Sequence, residues 1–538
     1  MGFVDRIRSL VGGGAGSSMS VDRPTATSEY FRRDSSPFLQ SWQPALREHA
    51  ADVRASYDIA AARAVDAIHN SGFIAGIMET STAAVVGTGL KLAARPDGAA
   101  VGWNPKQAAD WAKLVEARWN AWCACEPDCD AAGKMTFGQM QGVAYASWMA
   151  YGEVLALNPV FQRRRDVSSP ATKVLMLPPT RLMHKTDGVT IWDGVEIDQL
   201  GFPIGYWLME RVPELSGMSM RERRVDAYDR RGRRNITHIM NPGPAITRGI
   251  SPLAPALKVV RQLEQYCDAT LTAALLQTIF AATIKTNATG AAAFEGLMTS
   301  DEQLDLGALA AAKDEWYSSA KVDLFTHGRI AHLFPNDELE FKKAEHPGQQ
   351  FDQVMGWLGR EICRVAGVTY ENGMGDYRTA TYSSVRMATA ETWKIVEMRR
   401  ENVISPLCQR TYETFLEDEI GMGHIPLPGG LATFRANRDA LCRARWTGPP
   451  KPQADDLKTA NAYTTLYDLG ATSLQEICAE YGLDWQIVME QRAEERAYAI
   501  SMGLPDPYIQ VLAEAAAAKA GGGATTKQKS DSGAANSG

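Results

Sequence analysis

Carboxylates in close order are the first chemistry this sequence offers. Asp187, Asp193, Glu196 and Asp198 fall within TDGVTIWDGVEIDQLG. With Glu153 upstream they could hold a divalent metal for phosphodiester hydrolysis, provided they met at one point. Strand alternation argues otherwise: Glu196 and Asp198 share one face and each Asp-Gly pair marks a turn, so a solvated hairpin is expected. Cys123, Cys125 and Cys129 form C-x-C-x3-C. A structural zinc site takes four ligands, and Asp128 or Asp130 would complete this one weakly, so packed or surface thiols are expected. Gly133-Lys134 is the nearest approach to a phosphate cradle. Asp128 stands where its first glycine belongs and Met135 where its Ser/Thr belongs, so the motif fails. No G-x-S-x-G elbow or H-E-x-x-H pair occurs, and the eight histidines are dispersed. The sequence therefore predicts no catalytic residue, no cofactor, no metal and no enzyme.

Basic residues are the other chemistry. RERRVDAYDRRGRR (Arg221 to Arg234) and Arg163 to Arg165 could meet phosphates. Glu222, Asp226 and Asp229 dilute the longer run, which lacks the aromatic interleaving of a base-stacking surface. With a net charge of -7 and a pI near 5.8, any contact with nucleic acid should be loose or local.

The elements that would position these groups are those of a globular, multi-domain chain: 538 residues, 45% hydrophobic and 22% charged. The eight scattered cysteines read as free thiols in a reducing cytoplasm. MGFVDRIRSLVGGGAGSS carries charges at Asp5, Arg6 and Arg8 and then breaks into glycine, which suits an amphipathic arm better than a signal peptide or membrane anchor. Helical spacing runs from about Ser41 to Ala84, from Lys106 to Trp122 and from Thr136 to Met149, the last leading into a strand, YGEVLALNPV. Lys173 to Pro244 reads as alternating strands broken by turns. Pro252 opens a helix expected to run to Ile284, 33 residues or roughly 50 Å. Its uncharged part, Ala269 to Ile284, is shorter than the roughly 20 residues needed to span a bilayer, so burial between protein neighbours is expected. Helical patches follow at Asp305 to Ser319 and Phe351 to Ala366, with strand-like RIAHLF and LEFKKA between them. A glycine-bearing loop then leads to a long helix from Ser383 or Ser384 to Pro406, which could kink it. After the linker TGPPKPQADD come two or three helices from Leu457 to about Met502 and a tail without apolar content. The fold class is α+β, mainly helical.

The order of these blocks resembles the lambda-type portal family of tailed phages. AARAVDAIHNSGFIAGIMETSTAAVVGTGLKLAA resembles that family's early helix closing on a VVGTG turn, and TFGQMQGVAYASWMAYGEVLAL its helix leading into a Gly-Glu strand. IWDGVEIDQLGFPIGYWL is similar to its hairpin, through Gly194, Val195, Glu196, Asp198, Gly201, Pro203 and Tyr206. ITHIMNPGPAITRGISPLAPAL resembles its entry to the long helix, through His238, Ile239, Arg248, Gly249, Ser251 and Leu253. HPGQQFDQVMGWLGREICRVAGVTYENGMGDYRTATYSSVR is similar to its helix, loop and Y-S-S-x-R. The departures are Cys123 to Asp130, RERRVDAYDRRGRR and Pro244 to Ile246.

This resemblance implies a ring subunit, usually of twelve copies, at the unique capsid vertex of a virion, assembled in the bacterial host cytoplasm. It implies an N-terminal arm over 1–40, a wing over 41–251, a first stem helix over 252–285, a clip over 286–347 and a second stem helix over 348–366. A tunnel loop over 367–382, a wing helix and following segment over 383–445, crown helices over 446–515 and a tail over 516–538 complete it. Double-stranded viral DNA would pass the channel for packaging and exit, meeting Asp376, Tyr377, Arg378, Thr379 and Thr381, with Lys342 also a candidate contact. Leu257, Val260, Leu271, Leu275 and Ile279 would pack stem against stem. The partners implied are the terminase large subunit, a head-completion or adaptor protein, and the major capsid and scaffolding proteins, with no membrane; head-tail joining and nucleation of the procapsid belong to the same reading. Two readings from other classes stand beside it: a metal-dependent nucleic-acid-processing enzyme using Glu153, Glu196 and Asp198, and a membrane-inserting pore using Ala269 to Ile284.

Overall fold

The computed structural model describes residues 48–161, 171–214, 217–241, 243, 246–279, 282–286, 315, 337–341, 349–452, 456–483, 485–506 and 508. Expectations for the arm, Arg163 to Arg165, the patch at 305–319, RIAHLF, Lys342, the tail and most of the clip lie outside these residues.

Helices α1 (His49–Asn70) and α2 (Gly72–Val85) divide at Ser71, which is extended. Ile74, Ile77, Met78, Ser81 and Val85 recur at helical spacing and are all buried. A short strand, β1 (Lys91–Ala94), follows. Two capping boxes set the next starts. Asn104 and Gln107 open α3 (Pro105–Ala124), and Thr136 and Gln139 open α4 (Phe137–Tyr151), each satisfying orphan backbone donors reciprocally. Gly152, at φ 80°, ends α4 and turns the chain directly into β2 (Glu153–Leu157).

β2 is the centre of a three-stranded antiparallel sheet between β3 (Leu175–Leu177) and a later strand. Next comes a four-stranded antiparallel meander: β4 (Ile191–Trp192), β5 (Val195–Ile197), β6 (Pro203–Glu214) and β7 (Gly217–Asp226). β8 (Ile236–Met240) then returns to pair with β2, with Glu153 opposite Met240 and Leu157 opposite Ile236.

The helix expected over Pro252 to Ile284 is shorter at both ends. A 3-10 turn at Ala254–Ala256 precedes α5 (Leu257–Ile279), and β9 (Ala282–Thr286) follows it, paired antiparallel with β10 (Asp337–Phe341). ATIKT is rich in β-branched residues, which fit a pleated ladder better than a helix once a partner strand is present. At about 1.5 Å per residue the rod is roughly 35 Å long rather than 50.

α6 (Gln349–Ala366) lies against α5. The loop expected over 367–382 holds a short helix, α7 (Tyr370–Met374), because Thr369 caps it through Asn372. α8 (Tyr382–Arg399), capped by Thr381, passes into a π turn at Arg400–Ile404 and then into α9 (Ser405–Gly421). Ser405 N–H donates five residues back to Arg400 O, so Pro406 enters in the first turn after the widened segment, where its missing N–H costs least. The helix therefore runs on past the proline.

α10 (Gly430–Ala436) and β11 (Ala444–Thr447) bring the chain back to β1, with Lys91 opposite Thr447. Last come α11 (Asp456–Asp468), α12 (Leu474–Glu480) and α13 (Trp485–Ser501). The main core centres on Trp119, whose ring lies 5.0 to 5.7 Å from those of Trp122, Phe137, Tyr412, Phe415 and Trp446. It thus ties α3, α4, α9 and β11 together across some 330 residues of sequence through tilted and edge-to-face ring contacts.

Candidate functional site

Glu153 is wholly buried at the start of β2, and both its oxygens are occupied. Tyr57 Oη donates at 2.7 Å and His238 Nε2 lies at 3.1 Å. Arg248 donates from Nε and Nη2 at 2.7 to 3.1 Å, and Gly249 N–H at 3.2 Å. The Arg248 guanidinium also lies over the Tyr57 ring at 4.2 Å. Burial alone would raise the carboxyl's pKa; the His238 hydrogen bond and the Arg248 charge outweigh it and hold Glu153 at about 2. A carboxylate saturated by donors is a joint between the β2 sheet and the entry to α5, not an open metal ligand.

The other carboxylates are spent separately. Asp193 takes Arg54 at 3.0 Å, and Glu196 takes Arg224 at 2.6 Å. Asp187 accepts from the backbone of Ile191, Val189 and Thr190, which depresses its pKa, and Asp198 accepts from Leu200 and Phe202. The expected hairpin forms, but Asp193 at its turn is buried against Arg54 rather than solvated; among the described residues no acidic, histidine or cysteine cluster suited to a metal forms. Cys129 is buried, with Sγ near the carbonyls of Cys123, Glu126 and Met135, and its thiol pKa is pushed up to about 12 by burial. The basic run is engaged in part: Arg223 pairs with Glu210, Arg224 with Glu196 and Asp226, and Arg233 with Asp418 at 2.7 Å, while Arg221, Arg230 and Arg231 are exposed.

The segment between α7 and α8 presents the proposed channel residues together. Tyr377 is half exposed, its hydroxyl donating to Asn372 at 2.7 Å. Arg378 projects outward, yet its guanidinium is held by Asp376 at 2.9 Å and by Asp352 of α6 at 3.2 Å. The Arg378 hydrogen bonds keep the Asp376 carboxyl well below its usual range. Thr379 is exposed, and Thr381 is committed to capping α8 through Ser384. Of the residues expected to pack stem against stem, Leu257 is half-buried and Val260 is 4% exposed, covered by its own chain. Leu271 and Leu275 stand 61% and 55% exposed, and the Ile279 side chain lies outside the described residues.

A family model described as phage portal protein, lambda family, matches residues 35–400. The chain belongs to that family. Portal protein B of Escherichia phage lambda is 27% identical over 522 residues, covering 92% of this chain and 94% of the relative. The portal protein of Escherichia phage N15 is 26% identical over 486 residues, 87% of this chain and 89% of the relative. A solved chain from the neck of an empty GTA particle is 13% identical, with a TM-score of 0.42 over 78% of this chain and 93% of that one. An HK97 family phage portal protein from Corynebacterium diphtheriae is 9% identical with a TM-score of 0.29, covering 66% and 89%.

Portal membership gives the motif residues their place. His238, Arg248 and Gly249, singled out by resemblance, converge on Glu153, and Ser251 Oγ donates to Met149 O at 2.7 Å. Tyr57 and Arg54 were not singled out from sequence. Their signal is no more than a tyrosine and an arginine three residues apart on one early helix, the first buried and the second exposed. Neither alternative class gains support in this portal chain: the acidic residues do not converge, and among the described residues no helix is long and apolar enough to cross a membrane.

Proposed function

We propose that this chain forms a twelve-membered ring at the unique capsid vertex, through which double-stranded viral DNA is packaged and later released. The observation that carries this reading is the lambda-family portal match over residues 35–400. α5 and α6 act as the stem, α11 to α13 as the crown, and the segment 375–381 as the part of each copy turned toward DNA. The strands β9 and β10 belong to the clip, which would receive the terminase large subunit during filling and a head-completion protein afterwards. Capsid and scaffolding proteins would meet the outer surface, with the ring assembling in the host cytoplasm and nucleating the procapsid. The protein carries no catalytic step: the energy for movement comes from the motor.

Passage sets the electrostatic demand. DNA carries about one charge per 1.7 Å of axis, so a lining of free cations would hold it by counterion release. Arg378, neutralised by Asp376 and Asp352, supports a surface that DNA slides past rather than one that grips it. Negative-stain microscopy and analytical ultracentrifugation of the purified protein test the reading. Closed rings with a central hole are the expected result; monomers alone across a range of salt and concentration would overturn it.

A further inference from the structure

An open groove of about 1260 Å³ runs between α1 and α5, lined by Ile59, Arg63 and Asp66 on one side and Lys258, Arg261 and Glu264 on the other. On α6, Leu358, Ile362, Cys363 and Ala366 are buried, so the opposite side carries Val354, Trp357, Glu361 and Arg364, all exposed. Trp357 is 65% exposed, a large aromatic standing out from a helix whose other side is core. A ring of identical chains closes through a heterologous contact, which requires two different and complementary patches on every copy. One concave patch, between α1 and α5, and one convex patch, on α6, meet that requirement.

We propose that the Trp357 ridge of α6 in one copy seats in the α1–α5 groove of the next. The inference rests on the ring reading above. Its register follows from contacts within the chain. Tyr266 stacks on Phe351 with centroids 5.4 Å apart, and Cys267 Sγ lies 3.5 Å from Met355 Sδ. The turn at Ala254–Ala256 also touches α6, so α5 and α6 run antiparallel. Rotation about an axis along the stem keeps every residue at its own height. With a rise of about 1.5 Å per residue in both helices, Trp357 stands level with roughly residues 260–265 of α5, and Glu361 with roughly 256–261. Glu361 therefore meets Lys258 and Arg261, and Trp357 meets Arg261, whose guanidinium can lie on the indole. Arg261 is paired with Glu264 on its own helix at 3.2 Å, whereas Lys258 and Glu361 have no ion-pair partner among the described residues. A desolvated aromatic beside a complementary charge pair is the usual composition of a binding hot spot.

Charge reversal tests the register. At low ionic strength Glu361→Lys and Lys258→Glu should each lower the ring fraction at least tenfold in ultracentrifugation, and the double variant should return it to within about twofold of the wild type. Both positions are exposed, so unchanged circular dichroism of each variant shows that the fold is kept. A photo-crosslinking amino acid at position 357 in assembled rings should label the segment 257–265 of a second copy. Labelling of residues 1–47 would assign the groove to the N-terminal segment and overturn the seat. Rings of unchanged yield in both single variants would also overturn it while leaving the portal reading intact; an absence of rings in the wild type would overturn that reading as well.

Discussion

At the scale of single residues, the buried polar cluster around Glu153 does structural chemistry. Glu153 shows the difference between a carboxylate that works on a substrate and one that holds a fold. It is fully buried, accepts from Tyr57, His238, Arg248 and Gly249, and has no open coordination position. Removing one partner of a buried pair leaves the other charge uncompensated, at a cost of about 3–5 kcal/mol. Glu153→Gln should therefore lower the urea midpoint by that equivalent, with Arg248 left unpaired. Its pH dependence has a definite sign. The folded carboxyl titrates at about 2 against an ordinary value of 4.5. Its contribution is thus complete above about pH 4.5 and is lost as the pH falls through about 2. The wild type should show a steep fall in midpoint across that window, and Glu153→Gln a shallower one; equal slopes would remove Glu153 from the account. Sequence reading placed Glu153 beside Glu196 and Asp198 as a conceivable metal set. Spacing along a chain says nothing about which arginine reaches which carboxylate, and Arg248 and Arg224 come from 95 and 28 residues away.

At the scale of elements, the helices expected over Lys106 to Trp122 and Thr136 to Met149 and the strand after the second were legible, because local periodicity and capping determine them, whereas the Asn104 cap and the Gly152 turn emerge only in the structure. The end of α5 was not. Residues 282–286 become a strand only because 337–341 lies alongside, a contact that periodicity in one window does not report. Nor was α7 legible, since its sequence, YENGM, contains a glycine and an asparagine and depends on the Thr369 cap. The joint between β2 and the approach to α5 supplies the prediction at this scale. A Cβ on Gly249 would come within 2.1 Å of Gly152 O, and one on Gly152 within 2.1 Å of Ile250 O. Gly152 also sits at φ 80°, where a side chain adds strain of roughly 1–2 kcal/mol before any clash. Gly249→Ala and Gly152→Ala should each destabilise by at least about 2 kcal/mol, with Gly152→Ala the worse. Thermal unfolding of the two variants beside Gly503→Ala, where the added atom meets open space at a similar φ of 73°, separates clash from strain.

At the scale of the whole molecule, composition spoke mainly by exclusion, and the ordered blocks of family resemblance carried the assignment. The acidic balance is consistent with a channel that lets DNA go. Replacing Asp352 and Asp376 by Asn frees Arg378 in every copy of a ring. Rings of this double variant should retain duplex DNA with a steeper dependence on salt than the wild type, because each phosphate neutralised adds close to one unit to the slope. A filter-binding series in sodium chloride measures it, and parallel slopes would place Arg378 away from the DNA path. The π turn at Arg400–Ile404 has a consequence for how such a surface can change over generations. One extra residue in that turn offsets the helix by roughly 100° of phase. Before it, α8 buries only Val396 and Arg399; after it, α9 is buried along most of its length. The two halves of one rod thus answer to different selection, the first free to vary with whatever it meets outside, the second constrained by the aromatic core. A lineage can alter its external fit by substitution at exposed positions such as Arg386, Met387 and Glu391, leaving Trp393 and the packing that keeps each copy folded untouched.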